Sequence, residues 1–137
     1  MYQRGFFYEQ NDKYGIQDSY NMANAIVLKI LMYPETLNSQ MDEIISARDI
    51  VQKQVYGPRI DQWWAWADLG ILSLLSGNLI EATQAYERFW EAGARVQDCN
   101  STLDVLRDLS QALRTSHNSV ADSINQIIGR LERSKSC

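Results

Sequence analysis

Residues 63–96 read WWAWADLGILSLLSGNLIEATQAYERFWEAGARV. Two helix-length blocks lie on either side of Gly77-Asn78, a pair that makes a tight turn. Asp61 is placed to cap the first block, which runs to about Ser76 and spreads Trp63, Trp64, Trp66, Leu69, Leu72 and Leu75 over most of its faces. A helix apolar on most sides is buried on more than one of them, so this one is expected at the centre of the protein. Asn78 followed three residues later by Glu81 has the form of a capping box, with Asn in place of the usual Ser or Thr. The helix it opens buries Ala82, Ala85, Tyr86 and Phe89, and Gly93 supplies the left-handed residue that commonly ends a helix. Gly70 and Ala82 are small, which lets the two helices approach closely, while Trp66 and Tyr86 fill the space beside them.

Outward from this centre the chain divides into helix-sized pieces with no alternating segment long enough for a strand, which predicts an all-α protein. A first helix spans about Asp18 to Met32, capped by Asp18 or Ser19, with Ala23, Val27, Ile30 and Leu31 on one face and Pro34 ending it. Ser39 can start a second, in which Ile44, Ala47, Val51 and Val55 follow helical spacing until Gly57-Pro58. A fifth is expected from about Ser101 to Leu113, with Leu103, Leu106 and Leu113 on its apolar face. A sixth runs from about Asn118 to Arg133, with Val120, Ile124, Ile127 and Leu131. About six helices with short links favour three consecutive antiparallel hairpins. The 137 residues suit one domain, with residues 1–17 as an N-terminal arm and 134–137 as a tail.

The central stretch resembles a tetratricopeptide repeat. Trp66, Leu69 and Gly70 match the family's W-x-x-L-G opening, Gly77 its inter-helix turn, Ala82 its small residue and Tyr86 its aromatic, all at the family's spacing. Ser73 stands where the family has Tyr, and Ala94 near its usual Pro, so the repeat is degenerate. The flanking hairpins match by length and pattern alone, and the first carries a longer connection, 33–38. A second resemblance covers about 14–113. It is to part of the TRAFs-binding domain of apoptosis signal-regulating kinases and various bacterial proteins. It rests on Tyr20 with Asn24 and Ala25, on Asp61 with Trp63, and on Leu75 with Gly77; Met22 departs from a Gly common in that family. Together the resemblances imply hairpins stacked in a right-handed superhelix that acts as a scaffold and binds a protein or peptide on its concave face.

Composition narrows the function. With 45% hydrophobic residues, four Trp, seven Tyr and three Phe, a core can form. Thirteen basic residues against seventeen acidic give a net charge of -4, which argues against a nucleic-acid partner, since phosphate backbones are held by clustered Lys and Arg. The apolar run 25–33 is broken by Lys29 and stopped by Pro34, too short to cross a bilayer, so no membrane partner is expected. Residues 1–10 lack a signal peptide's apolar region. Two cysteines, Cys99 and Cys137, imply no disulfide framework and fit a reducing compartment. A cytoplasmic location is the expectation.

No catalytic, cofactor or metal site is expected. His117 is the single histidine and sits in a Thr-Ser-His-Asn-Ser turn without a second ligand at metal spacing. Asp104 with Asp108, and Glu87 with Glu91, pair on helix faces but read as solvated surface. Cys99 is read as inert, since Asp98 opposes thiolate formation. No phosphate loop, nucleophile elbow or zinc signature is present.

The candidate partner-binding residues are Asn21, Asn24, Trp63, Trp64, Asp68 and Ile71. In one well-known version of the resembled family, Lys and Asn grip a terminal carboxylate; the corresponding positions here are Ala67 and Ile71, which favour an apolar or aromatic partner instead. Trp66 already takes the core position, and three Trp in four residues cannot share one direction, so Trp63 or Trp64 either packs on the neighbouring hairpin or anchors a groove. Asn21 and Asn24 can donate to a bound main chain, or cap turns and bond across helices. Apolar end faces offer a further partner, a second copy in a homodimer.

Overall fold

The computed structural model describes residues 18–134, with side chains from Met22 onward. The arm at 1–17, Cys137 and the side chains of Tyr20 and Asn21 lie outside the described residues. Among the described residues the protein is all-α, with six helices and no strand: α1 (Asp18–Met32), α2 (Met41–Val55), α3 (Trp63–Leu75), α4 (Leu79–Glu91), α5 (Val96–Leu113) and α6 (Asn118–Ser134). Helix α3 is the hub. Its residues Ala65 to Ala67 and Leu69 to Leu75 are all buried, as its all-round apolar composition requires.

The closest packing joins α3 to α4 and α5 to α6, and α2 lies along α3. Gly77 takes a φ of +84° in the turn and Gly93 a φ of +99° after α4, the left-handed conformations that glycine adopts without a Cβ penalty. A Cβ added to Gly70 would clash with one edge of the Tyr86 ring, less than 3 Å from three of its carbons. Close approach of α3 and α4 is therefore set at Gly70, with Tyr86 as the group laid against it.

The helix starts differ from expectation in informative ways. Gln62, not Asp61, precedes the first turn of α3, and its side chain accepts from Trp64 Nε1 at 3.1 Å instead of capping the backbone. Ser39 does not cap α2. It sits in the second of two 3-10 turns, Pro34–Thr36 and Asn38–Gln40, that fill the long first connection, and its hydroxyl donates to Thr36 O. Leu37, between those turns, is a buried plug. Asn78 does cap α4, its Oδ1 accepting from Glu81 N–H at 3.0 Å. Helix α5 begins five residues earlier than expected, at Val96, because the Asp98 carboxylate accepts from the Arg95 N–H at 2.9 Å and closes the first turn.

Ser73 explains its own departure from the resembled repeat. It is 0% exposed, and its hydroxyl donates to Glu81 Oε1 at 2.8 Å, while Gln52 Nε2 on α2 donates to the other oxygen at 3.0 Å. Arg48 Nε lies 3.8 Å from the same carboxylate. Glu81 thus joins α2, α3 and α4 through one satisfied acid, a role a Tyr at position 73 could not fill without displacing it.

The last pair does not continue a consecutive stack. Such a stack would lay α4 on α5, yet these two meet little; α6 packs on both α3 and α4, and α5 reaches back to α1 and the turn after it. Ile124, Ile127 and Leu131 supply the buried face of α6, and Leu103, Leu106, Leu109 and Leu113 that of α5. Helix α5 is therefore brought back to α1, and α6 to the α3–α4 pair.

Candidate functional site

That return of α5 to α1 creates a cleft walled by three helices. It has a volume of about 160 Å³ and is lined by residues 23, 24 and 27 of α1, by 63, 64, 67, 68 and 71 of α3, and by 101, 102 and 105 of α5. Five of the six residues singled out in the sequence, Asn24, Trp63, Trp64, Asp68 and Ile71, share this one cavity. The sixth, Asn21, belongs to α1, but its side chain is outside the described residues. Helical spacing explains the convergence: 64, 67, 68 and 71 recur at intervals of three and four on one face of α3.

The three tryptophans diverge as the sequence requires. Trp66 is buried, and its Nε1 donates to Ile60 O at 2.8 Å. Trp63 is half-buried and meets Phe89 edge-on, with ring centroids 5.8 Å apart, so it packs on α4 and lines the cleft at once. Trp64 is part-exposed on the cleft wall, and the Arg59 guanidinium lies over its ring at 4.7 Å from the centroid. Trp63 thus packs on α4, the helix that directly follows α3, and both rings line the cleft.

Polar groups inside the cleft are few. Asn24 Nδ2 is shut away from solvent and has no hydrogen-bond partner among the described residues. Asp68 sits beside the inner wall, where Tyr86 Oη donates to Ala67 O at 3.2 Å. Burial first, and the Asp68 charge second, raise the Tyr86 hydroxyl well above its usual range. Tyr86 is therefore a neutral donor behind the cleft.

Residues that the sequence did not single out complete the wall: Val27 from α1, Ala67 from α3, and Ser101, Thr102 and Val105 from α5. Ala67 was noted only for what it cannot do. The α5 residues carried no signal, because nothing in their local pattern says that α5 crosses to α1. Arg59 was missed as well; it is a loop residue that reads as solvated surface, and only its stacking on Trp64 brings it to the site.

Among the described residues no group of His, Cys, Asp and Glu could hold a metal ion, and no helix is long and apolar enough to cross a membrane. Cys99 is a correction. It is buried and joined in a disulfide, not a free thiol, so the cysteine content no longer argues for a reducing compartment.

Comparisons of the chain with protein-family models, with curated proteins and with solved structures find no match.

Proposed function

We propose that this protein is an interaction module of tetratricopeptide type, a non-enzymatic scaffold whose cleft between α1, α3 and α5 receives an apolar side chain from a partner protein. In this reading the helix pairs are hairpins, the first helices of the three form the concave face, and the last hairpin is turned so that the face closes into a pocket. One observation carries it: residues from three separate helices, including two part-buried Trp and an unbonded Asn donor, meet around a single mostly apolar cavity. A space of about 160 Å³ is close to the roughly 150 Å³ that holds a benzene ring in an engineered protein cavity. It is well below the roughly 300 to 1,000 Å³ of small-molecule sites. One aromatic or large aliphatic side chain fits; a whole cofactor does not. Trp on the wall suits such an anchor, as hot spots at interfaces are rich in it.

Ala67 lies on the cleft wall, so Ala67→Leu fills the cavity from inside while leaving the charges and the Trp pair in place. Native-lysate pull-downs with the wild type and with this variant, each checked for an unchanged circular dichroism melt, test the proposal. Partners held by the wild type should be lost from the variant; the same set recovered by both would remove the cleft from the binding surface.

A further inference from the structure

A second cavity, between α4 and α6, shares no residue with the cleft. At about 340 Å³ it falls within the roughly 300 to 1,000 Å³ of small-molecule sites. It opens where two helix faces diverge. Residues 83, 86, 87 and 90 of α4, and 127, 130, 131 and 134 of α6, each recur at i, i+3, i+4 and i+7, one stripe per helix. Tyr86, Ile127 and Leu131 are buried and give the cavity an apolar floor. Trp90, edge-on to Phe89 with ring centroids 5.2 Å apart, adds an aromatic wall.

The polar groups above this floor favour one kind of charge. Arg130 and Arg133 both line the cavity, and among the described residues neither forms an ion pair; Glu132, which stands between them in the chain, is taken by Arg107 of α5 at 2.7 Å. A helix C-terminus favours cations wherever they point, so two arginines there are not a site by themselves. Gly129 is the second observation. The three atoms nearest to a Cβ added there all belong to the Arg133 guanidinium, with Nη1 at 3.1 Å. That group therefore lies back along α6 in the space a side chain would take, at a helix-interior position where Gly is otherwise unfavourable. The Thr83 hydroxyl donates to Leu79 O at 2.9 Å and the Ser134 hydroxyl to Leu131 O at 3.1 Å, which leaves the two guanidinium groups as the donors that an anion meets. Both arginines are solvent-exposed, so a ligand reaches them without rearrangement. Glu87 lines the α4 side; two cations against one carboxylate leave a single positive charge, which a monoanion matches and a multiply charged phosphate does not.

We propose that the α4–α6 cavity binds a small amphipathic carboxylic acid, with an aromatic or short aliphatic body and one carboxylate. The body lies on Tyr86, Ile127 and Leu131, and the carboxylate is held by Arg130 and Arg133 through charge-assisted hydrogen bonds. The assignment is independent of the partner reading, since the two cavities share no wall.

The test is a nitrogen-15 NMR titration of the full chain with phenylbutyrate, with its neutral amide and with inorganic phosphate. Phenylbutyrate should shift the amides of 83–90 and 127–134 saturably and leave those of 23–27 in place. It should bind about tenfold tighter than the amide, the scale of a charge-assisted hydrogen-bond pair. Arg130→Gln combined with Arg133→Gln should bind acid and amide alike, and should melt as the wild type does, since both side chains are exposed. Equal affinity of the wild type for acid and amide, or an acid preference that survives in the double variant, overturns the carboxylate site. Phosphate bound as tightly as phenylbutyrate overturns the amphipathic ligand in favour of a bare anion. Binding lost in Ala67→Leu places the ligand in the cleft and overturns the second site, while the cleft reading stands. A peptide ending in Phe with a free carboxylate that binds more than about tenfold tighter than phenylbutyrate overturns the small ligand in favour of a protein C-terminus. Absence of saturable shifts by about 10 mM acid overturns the site.

Discussion

Gly70 has no room for a methyl group. A Cβ there would clash with the edge of the Tyr86 ring, and that ring is held by the bond from its hydroxyl to Ala67 O, so it cannot step aside freely. Replacing Gly by Ala inside a helix gains about 1 kcal/mol in propensity, but overpacking a core costs roughly 1 to 3 kcal/mol. Gly70→Ala is expected to lose up to about 2 kcal/mol net in urea unfolding, and to cost less in a Tyr86→Leu background, where the clashing atoms are gone. Equal costs in both backgrounds would mean that Tyr86 does not set the approach. The same tyrosine governs alkaline behaviour. Its folded pKa is raised, so the neutral form is favoured by folding; that contribution is complete below the unfolded value near 10 and declines as pH rises above it. Tyr86→Phe should be less stable than the wild type near neutrality, by about 1 kcal/mol for the lost hydrogen bond, and should lose less further stability between neutrality and strongly alkaline pH. Parallel pH profiles for the two proteins would refute the assignment.

Elements were legible where side chains act on their own helix and obscure where they act across helices. Helix α4 could be read closely, because Asn78 caps it within three residues and Gly93 stops it. Asp61 looked like the cap of α3, but the backbone turns one residue later and Gln62 binds an indole instead. The early start of α5 depends on Asp98 folding back to Arg95, a pairing that no preferred capping residue announces. Ser73 is the clearest case: as a member of a repeat it looked like decay, and its purpose is visible only with Glu81, Gln52 and Arg48 assembled around it. Ser73→Ala removes one donor from a part-buried carboxylate, and should cost about 1 to 3 kcal/mol. In an Asn78→Ala background, where the adjacent cap is already gone and about 1 kcal/mol with it, the two losses should not add, since both act on the first turn of α4. Strict additivity by chemical denaturation would separate the cap from the acid network.

At the scale of the whole molecule the decisive contact is that between α5 and α1, since it converts a row of helix pairs into a closed body and makes the cleft. Local pattern could show that both helices have an apolar stripe, but their pairing depends on how α6 docks against α3 and α4, a long-range choice written in no single segment. Five candidate residues could still be named in advance because they share two helix faces, whereas Ser101, Thr102 and Val105 could not. Closure also changes how the protein should unfold. In an open array each repeat touches only its neighbours, so terminal pairs fray and melting spreads along the chain. Here loosening α1 strips cover from α5, and loosening α6 strips it from α3 and α4, so no pair can leave alone without exposing buried Leu and Ile on another. Calorimetric and van't Hoff enthalpies should therefore agree, and amides in the middle of α1 and of α6 should exchange through openings of similar free energy. Ile127, fully buried on α6, provides the perturbation: Ile127→Ala should remove about 2 to 5 kcal/mol and lower the protection of α1 and α6 together. Should α1 keep its protection while α6 loses its own, the two helices open independently, and the cleft formed by α1, α3 and α5 does not depend on the docking of α6.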